Sequence, residues 1–140
     1  MGASGPERVR VLVVDDEEDF ATALVNRLAR RGFDAVPAFS GPQALIRLRA
    51  AATDVIVLDL KMPGMDGLET LREVRRLDPH VQVIVLTGHG TVATGIDGMQ
   101  LGAADFLQKP TSIEQLCTAI EVAAIRARES RSAAGEGGRG

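Results

Sequence analysis

Five residues suited to metal binding or phosphorus chemistry close short aliphatic runs in this chain. The stretch "VLVVDDEEDF" (11–20) ends its run in Asp15 and Asp16, with Glu17, Glu18 and Asp19 just beyond. "VIVLDLKMPGMDG" (55–67) ends its run in Asp59, "VIVLTGHG" (83–90) in Thr87, and "DFLQKP" (105–110) leads to Lys109. Carboxylates gathered without compensation raise one another's pKa. A hard divalent cation removes that penalty, and carboxylate oxygens suit Mg²⁺. A carboxylate beside such a cation can act as a nucleophile toward phosphorus. Phosphoryl transfer then needs positive charge and hydrogen-bond donors around the three equatorial oxygens. Lys109 offers a cation and Thr87 a hydroxyl.

This chemistry requires elements that bring the five side chains to one place. Val9–Val14, Val55–Leu58 and Val81–Leu86 are dense in Val, Ile and Leu, while 34–39 ("DAVPAF") and 105–109 ("DFLQK") are weaker strand candidates. Helical spacing lies between them. Phe20, Leu24 and Leu28 before Gly32 mark one helix, and Ala44, Leu45 and Leu48 after Ser40 a second. Leu68, Leu71, Val74 and Leu77 before Pro79 mark a third. Ile113, Leu116, Ile120 and Ala124, with Ser112 and Gln115 as a capping box, mark another. Between the last two, 91–101 ("TVATGIDGMQL") reads as a poor helix, because Gly95 and Gly98 each cost roughly 1 kcal/mol relative to Ala.

Five β–α units with strands apolar on both faces predict an α/β fold, a parallel sheet covered by helices on each side with right-handed connections. Ligands of such sheets bind beyond the carboxyl ends of the strands. Asp15, Asp16, Asp59, Thr87 and Lys109 all fall at that end, from four strands, and are expected to share one rim.

A length of 140 residues fits one domain, and 45% hydrophobic residues supply an aliphatic core without Trp or Tyr. The net charge of −3 argues against binding nucleic acid or an anionic membrane. No apolar run approaches the roughly 20 residues a spanning helix needs, no secretory signal is visible, and the single Cys117 cannot form an internal disulfide. A cytoplasmic location is expected. Residues 1–7 and 132–140 are Gly-rich and polar and are expected to be disordered around a domain at 8–131.

The motifs "VVDDEED", "LDLKMPGMDG", "LTGHG" and "GAADFLQKP", in this order and spacing, resemble a response-regulator receiver domain, the phospho-acceptor of two-component and phosphorelay signal transduction. The resemblance covers about 8–128, and its last two motifs are worded most like receivers of the nitrogen-regulatory activator group. It implies a flavodoxin-like doubly wound sheet of five parallel strands, order 2-1-3-4-5, with five helices. It implies that Asp59 accepts a phosphoryl group from a histidine kinase or histidine phosphotransferase. Mg²⁺ would be held by Asp16, Asp59 and the backbone carbonyl of Lys61, with Asp15 acting largely through water. Lys109 and Thr87 would contact the phosphoryl group, Phe106 would be the switch aromatic, and the Lys109–Pro110 bond would be cis. The marginal helix at 91–101 would then be the segment that phosphorylation repositions. Lys61 and His89 occupy rim positions that tune phosphoryl lifetime in the family. Such a phosphoprotein is no turnover enzyme, since it catalyses only its own phosphorylation and slow dephosphorylation. A stand-alone receiver signals to a protein effector through the face made by the fourth helix, fifth strand and fifth helix, as a monomer or a phosphorylation-dependent homodimer.

Other readings compete. A degenerate receiver acting as a scaffold loses an acid, the Thr or the Lys, and all are present here. An Asp-nucleophile phosphohydrolase places a second Asp two residues after the first, where this chain has Lys61. A flavin module of the same topology needs a Ser/Thr/Gly-rich loop after the first strand, which is missing. Glu17 and Glu18 read as first-turn acids favoured by the helix dipole, Asp19 as a helix cap, and Asp66 as a structural loop acid. His80 reads as a turn residue and Cys117 as small core packing. Arg126, Arg128 and Arg131 read as cations complementing the end of the last helix.

Overall fold

Alternation within the strands decides where each helix packs. A computed structural model describes residues 8–60, 66–88 and 92–137. Its strands are β1 (Arg10–Val14), β2 (Asp34–Ala38), β3 (Val55–Leu58), β4 (Gln82–Thr87) and β5 (Asp105–Gln108), all parallel, in the order β2-β1-β3-β4-β5. Successive side chains on a strand point to opposite faces. Val11, Val13, Val55, Val57, Ile84 and Leu86 therefore form one core, with Leu24 and Leu28 of α1 (Glu18–Arg30) and Leu116 and Ile120 of α5 (Ile113–Gly137). Leu12, Val14, Ile56, Leu58, Val83 and Val85 form the other, with Ala44 and Leu48 of α2 (Gly41–Ala50) and Leu71 and Val74 of α3 (Gly67–Leu77). The remaining helix, α4 (Val92–Gln100), lies between β4 and β5 in the chain.

Local chemistry sets the helix ends. Ser40 Oγ accepts from Gln43 N at 3.2 Å, Asp66 Oδ1 from Glu69 N at 2.8 Å, and Ser112 Oγ from Gln115 N at 3.0 Å. Each satisfies a first-turn N–H that has no partner within its helix. After α1, Gly32 takes a φ of +93°, and Phe33 N donates to Leu28 O at 3.2 Å. After α4, Gly102 takes a φ of +102°, and Ala103 N donates to Gly98 O at 2.9 Å. Both ends are left-handed glycine stops that satisfy a last-turn carbonyl.

Three expectations change. Asp19 is not a cap: α1 begins at Glu18 after Glu17, and Asp19 sits in its first turn. The helix α5 does not stop at 131 but runs to Gly137. Ser132, Ala133 and Ala134 carry it on, since alanine is the best helix former and offsets part of the cost of Gly135. Nor do Arg128 and Arg131 serve the end of α5. Arg131 Nη1 lies 2.7 Å from Asp54 Oδ1 and Arg128 Nη2 3.3 Å from Asp54 Oδ2, and Arg131 also donates to Thr53 O. Ser130 Oγ is 2.7 Å from His80 Nδ1, so that turn residue also touches α5. Residues 1–7 and 138–140 lie outside the described residues.

Candidate functional site

The register of β1 on β3 brings the acids together. Val14 pairs with Leu58, so the next residues, Asp15 and Asp59, leave adjacent strands side by side. Asp59 N donates to Val14 O at 2.9 Å and Asp15 N to Ala38 O at 3.1 Å, which fixes both backbones. Carboxylate oxygens of Asp15, Asp16 and Asp59 all lie within 4.8 Å of one another. Asp15 and Asp59 are buried, and Asp16 is exposed at the mouth.

The start of α3 presses on the same point. Gly67 N donates to Leu60 O at 2.9 Å. A Cβ at Gly67 would lie 2.3 Å from Leu60 Cα and 2.6 Å from Asp59 O, so only glycine fits. Thr87 closes β4 fully buried, and its carbonyl accepts from Lys109 N at 3.0 Å. The Lys109–Pro110 bond that follows is cis. Gly88 is exposed beside the aliphatic stem of Lys109; a Cβ there would meet Lys109 Cβ at 3.8 Å.

Lys109 returns to the acids. Its Nζ lies 2.6 Å from Asp15 Oδ2, 3.9 Å from Glu17 Oε1 and 4.0 Å from the centre of the Phe20 ring. Asp15 Oδ1 accepts from Glu17 N at 2.9 Å. Burial pushes the Asp15 carboxyl above its ordinary value. The Lys109 and Glu17 hydrogen bonds oppose that shift, and the charge of Asp59 adds to it. One lysine thus meets the three-aspartate cluster through Asp15. This hard-oxygen donor set suits a divalent cation, and the exposed Asp16 leaves a side open to it.

The structure brings Asp15, Asp16, Asp59 and Lys109 into one site, and puts Thr87 on the same rim through Lys109. Lys61 and His89 lie outside the described residues. Phe106 is half-buried, pairs with Val85 two residues before Thr87, and lays its ring against Gly95. Cys117 is core, and burial raises its thiol pKa. Two contacts of Lys109, with Glu17 and Phe20, were not foreseen. Their only sequence signal is that both open the helix following Asp15 and Asp16.

The model of the response regulator receiver domain family matches residues 11–121. The chain belongs to that family. Similar receivers include part of the transcriptional regulatory protein ZraR of Salmonella typhimurium, 32% identical over 123 residues, which are 88% of this chain and 28% of that protein. The chain therefore spans little more than a quarter of that relative. Among solved structures, a receiver domain protein from Clostridium thermocellum is 34% identical with a TM-score of 0.81, covering 86% of this chain and 97% of that one. A response regulator from Burkholderia pseudomallei, described with a phosphorylated aspartic acid, a calcium ion and citrate, is 30% identical with a TM-score of 0.77, covering 88% and 72%. Receivers are signalling domains of two-component systems. Among the described residues no helix is long and apolar enough to cross a membrane.

Proposed function

We propose that residues 8–131 form a phospho-acceptor receiver in which Asp59 takes a phosphoryl group from a phosphohistidine of a histidine kinase or phosphotransferase. One observation carries this reading. Buried Asp59 shares a three-carboxylate cluster with Asp15 and Asp16, and Lys109 reaches into that cluster at 2.6 Å. The phosphorylated aspartic acid and calcium ion of the Burkholderia pseudomallei relative support it.

A carboxylate oxygen of Asp59 attacks phosphorus. The O–P bond forms, the P–N bond breaks, and the imidazole leaves and takes up a proton from water. Asp15, Asp16, Asp59 and the backbone carbonyl of Lys61 would hold Mg²⁺, which offsets the carboxylate charge and that of the transferred phosphoryl oxygens. Lys109 turns from Asp15 toward the new phosphoryl oxygens, and the Thr87 hydroxyl donates to another. Preorganised donors of this kind stabilise the charge that develops in transfer. The phosphorylated state is read by a protein effector at the α4–β5–α5 face. Four of its large apolar side chains, Ile96, Met99, Val122 and Ile125, are exposed.

Intact-mass analysis after incubation with acetyl phosphate tests the reading. One phosphoryl mass is expected with Mg²⁺, none with EDTA, and none in Asp59→Asn. Labelling of Asp59→Asn equal to that of the parent would overturn it.

A further inference from the structure

Lys109 keeps a flexible four-carbon stem, and an ammonium on such a stem needs more than one contact to stay in place. The side chain is only 17% exposed, although Glu17, an anion at 3.9 Å, is 67% exposed and draws it toward solvent. Phe20 stands on the remaining side. Its ring lies 4.0 Å below Nζ, well within cation–π range. Phe20 is itself held. It is half-buried in the first turns of α1, packs against the core that contains Leu24 and Leu86, and lines one groove with Leu24, Pro110, Ile113 and Leu116.

We infer that Phe20 is a positioning residue for the phosphoryl-transfer site, its ring face holding the Lys109 ammonium beside Asp15 and Asp59 without competing for it as an anion would. The inference rests on the proposed role of Asp59. Its physical basis is a difference between three possible neighbours. A further carboxylate in that place would grip the ammonium and resist its transfer to an incoming phosphoryl oxygen. An aliphatic side chain would fill the space but attract no charge, leaving Lys109 free to follow Glu17. An aromatic face attracts the cation, excludes water from one side, and leaves its N–H donors available for oxygen atoms.

The test is a set of substitutions in the full chain. Phe20→Leu and Phe20→Met keep an apolar side chain and remove the ring, whereas Phe20→Tyr keeps the ring. The initial rate of Asp59 phosphorylation by acetyl phosphate at saturating Mg²⁺ should fall roughly fivefold in Phe20→Leu and Phe20→Met. In Phe20→Tyr it should stay within about twofold of the parent. Mg²⁺ affinity should change little in any of them. NMR supplies a readout independent of phosphorylation. The ε-methylene protons of Lys109 should carry a ring-current shift in the parent and in Phe20→Tyr, and lose it in the other two. Parental rates in Phe20→Leu and Phe20→Met, a Tyr variant as slow as these two, or no ring-current shift in the parent would each overturn the inference. Failure of the parent itself to label, with the ring-current shift present, would overturn the receiver chemistry while the Phe20–Lys109 contact stands.

Discussion

Asp54 and Asp59 stand at opposite ends of the same strand, β3, and their surroundings assign them opposite tasks. Both are buried. Asp59 faces two other acids at the carboxyl end. Asp54, at the other end, accepts from Arg10 N at 2.9 Å, from Arg131 Nη1 at 2.7 Å and from Arg128 Nη2 at 3.3 Å. One acid is fully satisfied by its own chain, and the other sits in a site with an excess of negative charge.

That contrast predicts how stability depends on Asp54. Burial alone would raise its pKa, but the Arg10 N–H together with Arg131 and Arg128 outweighs burial and holds the carboxyl below its ordinary value of 3.8. A carboxyl lowered on folding stabilises the fold above its unfolded pKa and loses that contribution as pH falls through the folded value. Asp54→Ala leaves the Arg10 N–H and the two guanidinium groups without this partner and should cost about 2–4 kcal/mol at pH 7. Urea unfolding at pH 7 and pH 3 should show the gap between parent and variant shrinking on acidification. A gap that widens at pH 3 would show that Asp54 acts by some other means.

The crowded end predicts the reverse. Removing a charge from the acid cluster should stabilise the unliganded fold, so Asp16→Asn and Asp59→Asn should melt higher than the parent in EDTA. Mg²⁺ at a hundred times its dissociation constant should stabilise the parent by about 2.7 kcal/mol, which is several degrees in Tm for a domain of this size. Scanning calorimetry with and without Mg²⁺ measures both effects. If both variants melt below the parent in EDTA, the acids hold the structure together and their repulsion does not govern it.

Gly67 offers a geometric test of how Asp59 is placed. A methyl group there would overlap the backbone of Asp59 and Leu60, so Gly67→Ala must displace that loop from α3. The overlap should cost roughly 1–3 kcal/mol of stability, together with a weaker Mg²⁺ affinity and slower labelling of Asp59. Asp66→Ala serves as a control, because it removes the cap on Glu69 N and costs about 1 kcal/mol without crowding Asp59. Equal Mg²⁺ affinities in the two variants would mean that Gly67 does not position the acid.

These contrasts also show which parts of the structure were legible in the sequence. The strands could be read because an aliphatic run ending in Asp15, Asp59 or Thr87 carries both its burial and its terminus in local order. The caps at Ser40 and Ser112 are local too, with partners three residues away, whereas Asp66, read as a structural loop acid, proves to cap α3 through Glu69 N. Arg128 and Arg131 were misread because their partner Asp54 lies 74 and 77 residues away, and nothing in an arginine on an exposed helix face names so distant an acid. Phe20 satisfied a core-facing helical pattern, which hid its second neighbour. Lys109 could be read as the cation of the rim from its place after the fifth strand, but its rest position on Asp15 depends on the register of β4 and β5.

The two glycines of α4 looked equivalent in sequence and are not. A Cβ at Gly98 would meet only Val85 Cγ2, at 3.7 Å, an ordinary contact. One at Gly95 would sit 3.4 Å from Cγ and Cδ2 of Phe106, so the ring must yield by a few tenths of an ångström. Gly98→Ala should therefore stabilise α4 by about 1 kcal/mol, the helix propensity gained. Gly95→Ala gains the same propensity, offset by the pressure on Phe106, and should change stability less. Phe106 is the aromatic whose position the family resemblance ties to phosphorylation, so the pressure should show in the response to a phosphoryl mimic. Hydrogen exchange with and without beryllofluoride resolves the two effects. In the parent, amides of 92–100 should be the least protected of the helices and gain protection with the mimic, since a marginal helix is a segment whose population a small free energy can shift. Gly98→Ala should raise protection before the mimic is added and narrow the gain. Gly95→Ala should alter the gain without a matching rise beforehand. Identical exchange in the two variants would show that the Phe106 ring does not sense position 95.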